Sequence, residues 1–226
     1  MELSINFKYY LLYTGLYGVI LLMGEGLYRY FRLNPARTRN FSHLFAGLVS
    51  MPYPWLFDSH WWVLLLAVQS SLVLYFTRFW GLIPSHHQIA GRGWGSFLFF
   101  TSLYICFTVA FYAGEPYLYV IPMMVLTISD VLASIMGQQF GKKSWPTFKL
   151  TGISKKTPAG SIAFFASALG MVFFMLFFYF QVGLLHSFLA AILISTITAF
   201  SEAMSPNGFD NLTVPLVSLT ILLLIK

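Results

Sequence analysis

The sequence predicts an all-α polytopic membrane protein, and three observations support this fold class. Hydrophobic residues make up 58% of the 226-residue chain, and only 9% of the residues are charged, against about 25% in an ordinary soluble domain. The hydrophobic residues form runs comparable to the roughly 20 residues that a helix needs to cross a bilayer. The basic residues cluster in alternate connections between those runs. Because so few charged residues cannot cover the surface of a protein in water, we expect lipid to cover most of it.

Eight hydrophobic runs are candidate transmembrane helices. The connections between them are brief, so a single integral membrane domain is expected across residues 1–226. The second and eighth runs are the shortest. In chain order the runs are 9–28, 41–57, 61–81, 96–113, 117–138, 160–180, 184–204 and 211–225.

The basic residues predict the orientation of the bundle. Eleven of the thirteen lie in the first, third and fifth connections, and only Lys8 and Lys226 fall on the other side. Basic residues favour the cytoplasmic side, so we expect both termini outside and the polar connections in the cytoplasm, in a bacterial inner membrane or an organelle membrane. This placement explains the net charge of +6 without a nucleic-acid partner. The eleven are Arg29, Arg32, Arg37, Arg39, Arg78, Arg92, Lys142, Lys143, Lys149, Lys155 and Lys156.

This topology has a direct test in intact cells. A cysteine introduced at position 149 is expected to be protected from a membrane-impermeant thiol reagent added outside. Labelling of that cysteine from outside would contradict the orientation and the cytoplasmic site.

Asp130 lies inside the fifth hydrophobic run. An ionisable residue in a membrane helix costs about 2.5 kcal/mol or more, so a functional role is the first interpretation, and a polar contact with a neighbouring helix is the alternative. Ala133, Gly137 and Gly141 fall on the same helical face. They predict either a groove leading from the acid to the cytoplasmic end or a tight helix contact, which small residues also favour.

Lysines flank the connection that follows this groove. Lys142 and Lys143 stand at its beginning, and Lys155 and Lys156 precede a Thr-Pro pair and Gly160 at its end. Proline and small residues suit the start of a helix. Free amide groups at a helix start, with lysines beside them, form an anion site; a basic loop lying on acidic lipid is the alternative.

The seventh connection is acidic, although the other connections on that side are basic. Glu202 and Asp210 flank it. Each has a structural alternative, as a solvated helix end or as a helix cap. Two acids near a basic cluster also suit a hard cation such as Mg²⁺, which takes oxygen ligands and bridges phosphates. Arg39 and His43, one helical turn apart, could form a phosphate-binding edge, and a structural role for His43 is equally open.

Taken together, these segments resemble the CTP-dependent lipid-alcohol kinases, the group of phytol, farnesol, dolichol and CTP-dependent diacylglycerol kinases. The short chain and its Asp-Asn-Leu-Thr-Val-Pro string are most similar to the phytol kinase branch and its bacterial relatives. The matching segments are 39–43 with Gly47, 92–95, 129–137 with 140–142 and 156–161, and Glu202 with 210–215.

The resemblance implies transfer of the γ-phosphoryl group of CTP to a lipid alcohol, such as the isoprenoid phytol, giving a lipid phosphate and CDP. Membrane lipid would surround the enzyme, and an oligomer is compatible with it. Asp130, Glu202 and Asp210 would bind Mg²⁺ and activate the hydroxyl. The nucleotide would be held by Lys142, Lys143, Lys155, Lys156, Gly141, Gly160, Asn211, Arg39, His43 and Arg92.

Two other functions are compatible with the sequence. A phosphatidate-cytidylyltransferase-like enzyme would also use CTP, but it would release pyrophosphate; the His-Gly-Gly string of that class is absent from the sequence. A small ion-coupled transporter would use Asp130 as its ion site. Such transporters are commonly built from repeated halves, and the sequence has no convincing internal repeat.

Overall fold

The computed structural model describes residues 4–84, 94–141, 156–206 and 208–225, and each regular element in these ranges is helical. The all-α fold class is therefore confirmed. The helices are α1 (Ile5–Arg29), α2 (Pro35–Ser50), the single turn α3 (Tyr53–Leu56), α4 (His60–Phe79), α5 (Gly95–Ala113), α6 (Tyr117–Phe140), α7 (Pro158–Tyr179), α8 (Leu184–Met204) and α9 (Asp210–Leu224).

Six of these helices are long and apolar enough to cross a membrane, namely α1 and α4 to α8. Their outer faces expose large apolar side chains such as Leu22, Ile162 and Phe200, and so extensive an apolar surface suits lipid rather than water. Helices α2 and α9, with 16 and 15 residues, correspond to the two shortest runs of the sequence. A multi-pass membrane fold follows, while eight crossings and a cytoplasmic site remain predictions.

Prolines determine where α2 begins and ends. The hydrophobic run predicted a helix over 41–57, but α2 begins at Pro35 because the Asn34 side chain caps it, accepting a hydrogen bond of 2.9 Å from the amide of Ala36. Proline suits this first helical position. The helix stops at Ser50 because Pro52 has no amide hydrogen to donate to the carbonyl of Leu48, although Met51 keeps helical backbone angles. Arg39, predicted in the connection, therefore lies on α2.

A π-helical turn at Val125–Ser129 interrupts α6 immediately before Asp130. Such turns are frequent at functional sites because they alter the helical register of the side chains around them. Helix α2 packs against this turn at Gly47, where an added Cβ would lie only 2.1 Å from Oγ1 of Thr127. This close approach holds the first half of α2 beside Asp130.

The small-residue face of α6 packs against the start of α7. A Cβ at Gly160 would lie 2.9 Å from the carbonyl oxygen of Ala133 and 3.6 Å from Cα of Gly137. The tight helix contact predicted from the spacing is therefore present. Ala133 and Gly137 also line a cavity together with Asp130, so the same face forms the groove.

Hydrogen bonds of buried tyrosines connect helices away from the cavity beside Asp130. The hydroxyls of Tyr17 and Tyr53 lie 2.6 Å apart, and Tyr119 donates a hydrogen bond of 3.0 Å to the carbonyl of Ser50. The first contact joins α1 to α3, and the second joins α6 to the end of α2.

Candidate active site

Three carboxylates converge where α6, α8 and α9 meet. Oxygen atoms of Asp130, Glu202 and Asp210 all lie within 4.8 Å of one another. Glu202 stands near the end of α8 and Asp210 begins α9, and both are buried, with 3% and 4% of their surface exposed. Asp130 comes from the interior of α6 and is partly exposed. Residues separated by up to 80 positions thus form one acidic cluster.

Lys156 neutralises part of this cluster. Its ammonium donates a hydrogen bond of 2.9 Å to Oδ2 of Asp210 and a second one to Oε1 of Glu202. Burial lowers the pKa of Lys156, but the carboxylates of Asp210, Glu202 and Asp130 outweigh burial and raise that pKa above its usual value. The lysine therefore stays charged at neutral pH.

A polar cavity of about 380 Å³ opens over the acidic cluster. The starts of α2 and α7 both face it, through Asn34 and Ala36 on one side and Thr157 and Ser161 on the other. Thr157 caps α7 by accepting a hydrogen bond of 3.2 Å from the amide of Gly160. The N-terminus of a helix attracts anions through its free amides and its dipole. The cavity thus combines an acidic floor with walls suited to phosphate.

The acidic cluster fits a divalent cation. Oε2 of Glu202 is buried and has no hydrogen-bond partner in the described part of the chain. Lys156 forms ion pairs with Glu202 and Asp210 but none with Asp130 among the described residues. Carboxylate oxygens are the protein ligands that Mg²⁺ prefers. The chain therefore supplies suitable ligands, with charge for a cation to balance.

An apolar cavity of about 280 Å³ adjoins the polar one, and Arg39 lines both. Asp210 lines the polar cavity, while the next residue, Asn211, lines the apolar one. Nε2 of His43 and Oδ1 of Asn211 are buried without a hydrogen-bond partner in the ranges described. A buried polar atom left unpaired costs about 1–3 kcal/mol, so both atoms are suited to meet a ligand.

The structure brings most of the predicted site residues together but divides them between two cavities. Asp130, Glu202, Asp210, Lys156, Gly160 and Arg39 line the polar cavity. His43 and Asn211, expected at the nucleotide, line the apolar one. Gly141 follows the end of α6. A Cβ added to Gly141 would lie 2.5 Å from Cγ2 of Thr157. Lys142, Lys143, Lys155 and Arg92 lie outside the described residues.

Three residues that shape the site were not among the predicted site residues. Asn34 was not considered, and Thr157 was treated only as part of a motif, although both cap helices at the polar cavity. A shared signal could have found them, because each is a capping residue followed directly by proline, a pattern typical of helix starts. Ser134 was also missed; it accepts a hydrogen bond of 2.9 Å from Asn40 that ties α6 to α2.

Comparison with known proteins supports the resemblance that the motifs indicated. The chain is 29% identical over 203 residues to a phytol kinase of Synechocystis sp., a match covering 89% of this chain and 84% of the relative. It includes most of the helices described above. The similarity confirms the resemblance to the lipid-alcohol kinases and indicates a phosphotransferase with an alcohol acceptor.

No family model matches the chain. No solved structure is significantly similar to it.

Proposed function

We propose that the chain transfers the γ-phosphoryl group of CTP to the hydroxyl of a lipid alcohol, an isoprenoid such as phytol, and releases a lipid phosphate and CDP. The observation that carries this proposal is the contact between two unlike cavities. The polar one has an acidic cluster, a buried lysine and two helix N-termini, and the apolar one adjoins it at Arg39.

The polar cavity is the proposed site of the nucleotide phosphates. Asp130, Glu202 and Asp210 would hold Mg²⁺, which neutralises charge on the transferred phosphoryl group when bound. Lys156 is close enough to the acids to contact the same phosphates. The amides at the start of α7 would bind phosphate oxygens beside Ser161, whose buried Oγ lacks a hydrogen-bond partner among the residues described.

Phosphoryl transfer requires positioning and charge neutralisation more than covalent participation by the protein. The alcohol oxygen attacks the γ-phosphorus, and the bond from that phosphorus to the β–γ bridging oxygen breaks. Asp130 is the most accessible acid of the cluster and therefore the one we assign to receive the hydroxyl proton as the bond to phosphorus forms. Lys142, Lys143, Lys155 and Arg92, in the basic connections, remain candidates for binding the rest of the nucleotide.

The choice of CTP rests on the sequence resemblance, and the rival cytidylyl transfer uses the same nucleotide. One experiment separates them. Purified protein in lipid nanodiscs is given Mg²⁺, phytol or farnesol, and CTP labelled either at the α- or at the γ-phosphate. We expect γ-label in the lipid phosphate and α-label in CDP.

Other outcomes would reject parts of the proposal. Label from the α-phosphate in the lipid, with release of pyrophosphate, would indicate a cytidylyltransferase. Transfer from γ-labelled ATP, GTP or UTP but not from CTP would reject CTP as the donor. If no nucleotide delivers label to any alcohol, the kinase proposal fails.

A further inference from the structure

The apolar cavity has mainly apolar walls, and its buried polar atoms that lack a partner among the described residues lie where it meets the polar cavity. Thr14 and Gln69 also line the cavity, but they hydrogen-bond to each other. Its walls come from α1, α2, α4 and α5, with apolar side chains such as Ile20, Val73 and Phe100. Arg39, His43 and Asn211 contribute polar groups, and Arg39 also lines the polar cavity. A mainly apolar slot with unpaired polar atoms at one end suits a molecule with a single hydroxyl on a hydrocarbon chain.

His43 is held in a fixed position at this junction. Its ring packs edge-on against Phe99, with the ring centroids 5.0 Å apart, and it forms a hydrogen bond to the backbone of Leu126 in the π-helical turn. The remaining nitrogen, Nε2, is buried without a partner in the part of the chain that the structure describes. A neutral imidazole with one nitrogen donating to a carbonyl presents the other as an acceptor.

Asn211 supplies a second polar group. Its residue is 3% exposed, and its Oδ1 also lacks a partner in those ranges. Asn211 directly follows Asp210 at the start of α9. A hydroxyl between Asn211 and His43 would therefore lie next to the acidic cluster.

We infer that His43 and Asn211 form the subsite for the acceptor hydroxyl, and that the slot between α1, α4 and α5 holds its hydrocarbon chain. The inference rests on the proposed function and deepens it. His43 and Asn211, which the resemblance assigned to the nucleotide, are here assigned to the alcohol. In the bound alcohol, before transfer, Nε2 of His43 accepts the hydrogen bond of the hydroxyl, which leaves lone pairs of the alcohol oxygen free to face the phosphates. The proton passes to Asp130 only as the bond to phosphorus forms.

Gly18 provides space for the chain. It lines the slot from α1, and an added Cβ there would meet no atom within 4 Å. A larger side chain at this position would project into the slot without disturbing the helix packing. Gly15 is a matched control because its added Cβ also meets nothing within 4 Å, and it is exposed and does not line the slot.

The hydroxyl subsite is tested by the kinetics of His43→Phe, which keeps an aromatic ring against Phe99 but removes both ring nitrogens, and with them the hydrogen bond to Leu126. We expect the KM for the alcohol to rise at least tenfold, with the KM for CTP unchanged. His43→Gln restores an acceptor and should recover part of the loss. A raised KM for CTP with an unchanged KM for the alcohol would overturn the assignment.

A binding measurement without nucleotide keeps this test independent of the proposed function. Farnesol should raise the melting temperature of the wild-type protein more than farnesyl methyl ether does, because the ether cannot donate a hydrogen bond. His43→Phe should abolish that difference. If the wild-type protein does not distinguish the two ligands, or if His43→Phe still does, the hydroxyl subsite is wrong, whether or not the protein is a kinase.

The chain slot is tested with alcohols of increasing length. Gly18→Leu should reduce kcat/KM for phytol at least tenfold more than for geraniol, and Val73→Phe should do the same from the opposite wall. Gly15→Leu should leave the length preference unchanged. If Gly18→Leu and Val73→Phe, folded as judged by melting temperature, keep the wild-type length preference, the chain lies elsewhere.

Discussion

Asp130→Asn and Asp210→Asn are each expected to reduce turnover by about a hundredfold or more while leaving the protein folded. The reason is charge, because asparagine keeps the size of the side chain but loses the negative oxygen that binds the cation. A hundredfold corresponds to about 2.7 kcal/mol in the activation free energy, which is within the several kcal/mol that a bound metal can contribute. Turnover should be measured per folded molecule on purified protein, with the melting temperature recorded for each variant.

Asp58→Asn is the matched control for these variants. Asp58 lies in the connection between α3 and α4, at the opposite end of the bundle, where it accepts a hydrogen bond from Asn6. Its replacement should leave turnover unchanged. If Asp130→Asn and Asp210→Asn instead lower the yield or the melting temperature with normal turnover per folded molecule, the acids are structural and the proposed site is lost.

Lys156→Met is expected to impair both stability and turnover. Removing one partner of a buried ion pair costs about 3–5 kcal/mol, and Lys156 is the partner of two buried acids. Because the pKa of Lys156 is raised above its usual value, its contribution to the stability of the fold is fully present at neutral pH. That contribution is lost only when the pH rises through the raised pKa. The melting temperature in detergent should fall by several degrees, and turnover should fall with the loss of a phosphate contact.

The response to Mg²⁺ distinguishes this explanation from ordinary destabilisation. A cation at the acidic cluster would replace the missing ammonium, so Mg²⁺ should raise the melting temperature of Lys156→Met more than that of the wild-type protein. Lys156→Arg should retain most of the stability. Lys8→Met, an exposed lysine on α1, should behave like the wild-type protein. If Mg²⁺ raises the melting temperatures of Lys156→Met and the wild-type protein equally, Lys156 does not lie beside a cation site.

Hydrophobic run length predicted most of the helices well because lipid imposes a simple constraint on composition. Helix α8 has the predicted bounds, and α5 and α9 begin one residue before them. The prediction was less accurate for α2, where the Asn34 cap and Pro52 set the ends rather than hydrophobicity. The π-helical turn before Asp130 could not be predicted, because it depends on the packing of α6 against its neighbours.

The acidic cluster could be anticipated for two reasons. Charge inside a membrane is costly, which made Asp130 conspicuous, and Glu202 and Asp210 flank an acidic connection on the otherwise basic side. The sequence could not indicate which lysine pairs with which acid, since that depends on how the start of α7 meets α8 and α9. It also could not separate the two cavities. Arg39 and His43 share a helical face, yet only Arg39 reaches both cavities.

Binding of Mn²⁺, a spectroscopic substitute for Mg²⁺, tests the central claim that the three acids hold a cation beside the nucleotide. Electron paramagnetic resonance titration in the presence of CTP should reveal a site whose affinity falls at least tenfold in Asp130→Asn and in Asp210→Asn. Asp58→Asn should bind Mn²⁺ as the wild-type protein does. Equal Mn²⁺ affinity in all four proteins would contradict a metal site at Asp130, Glu202 and Asp210.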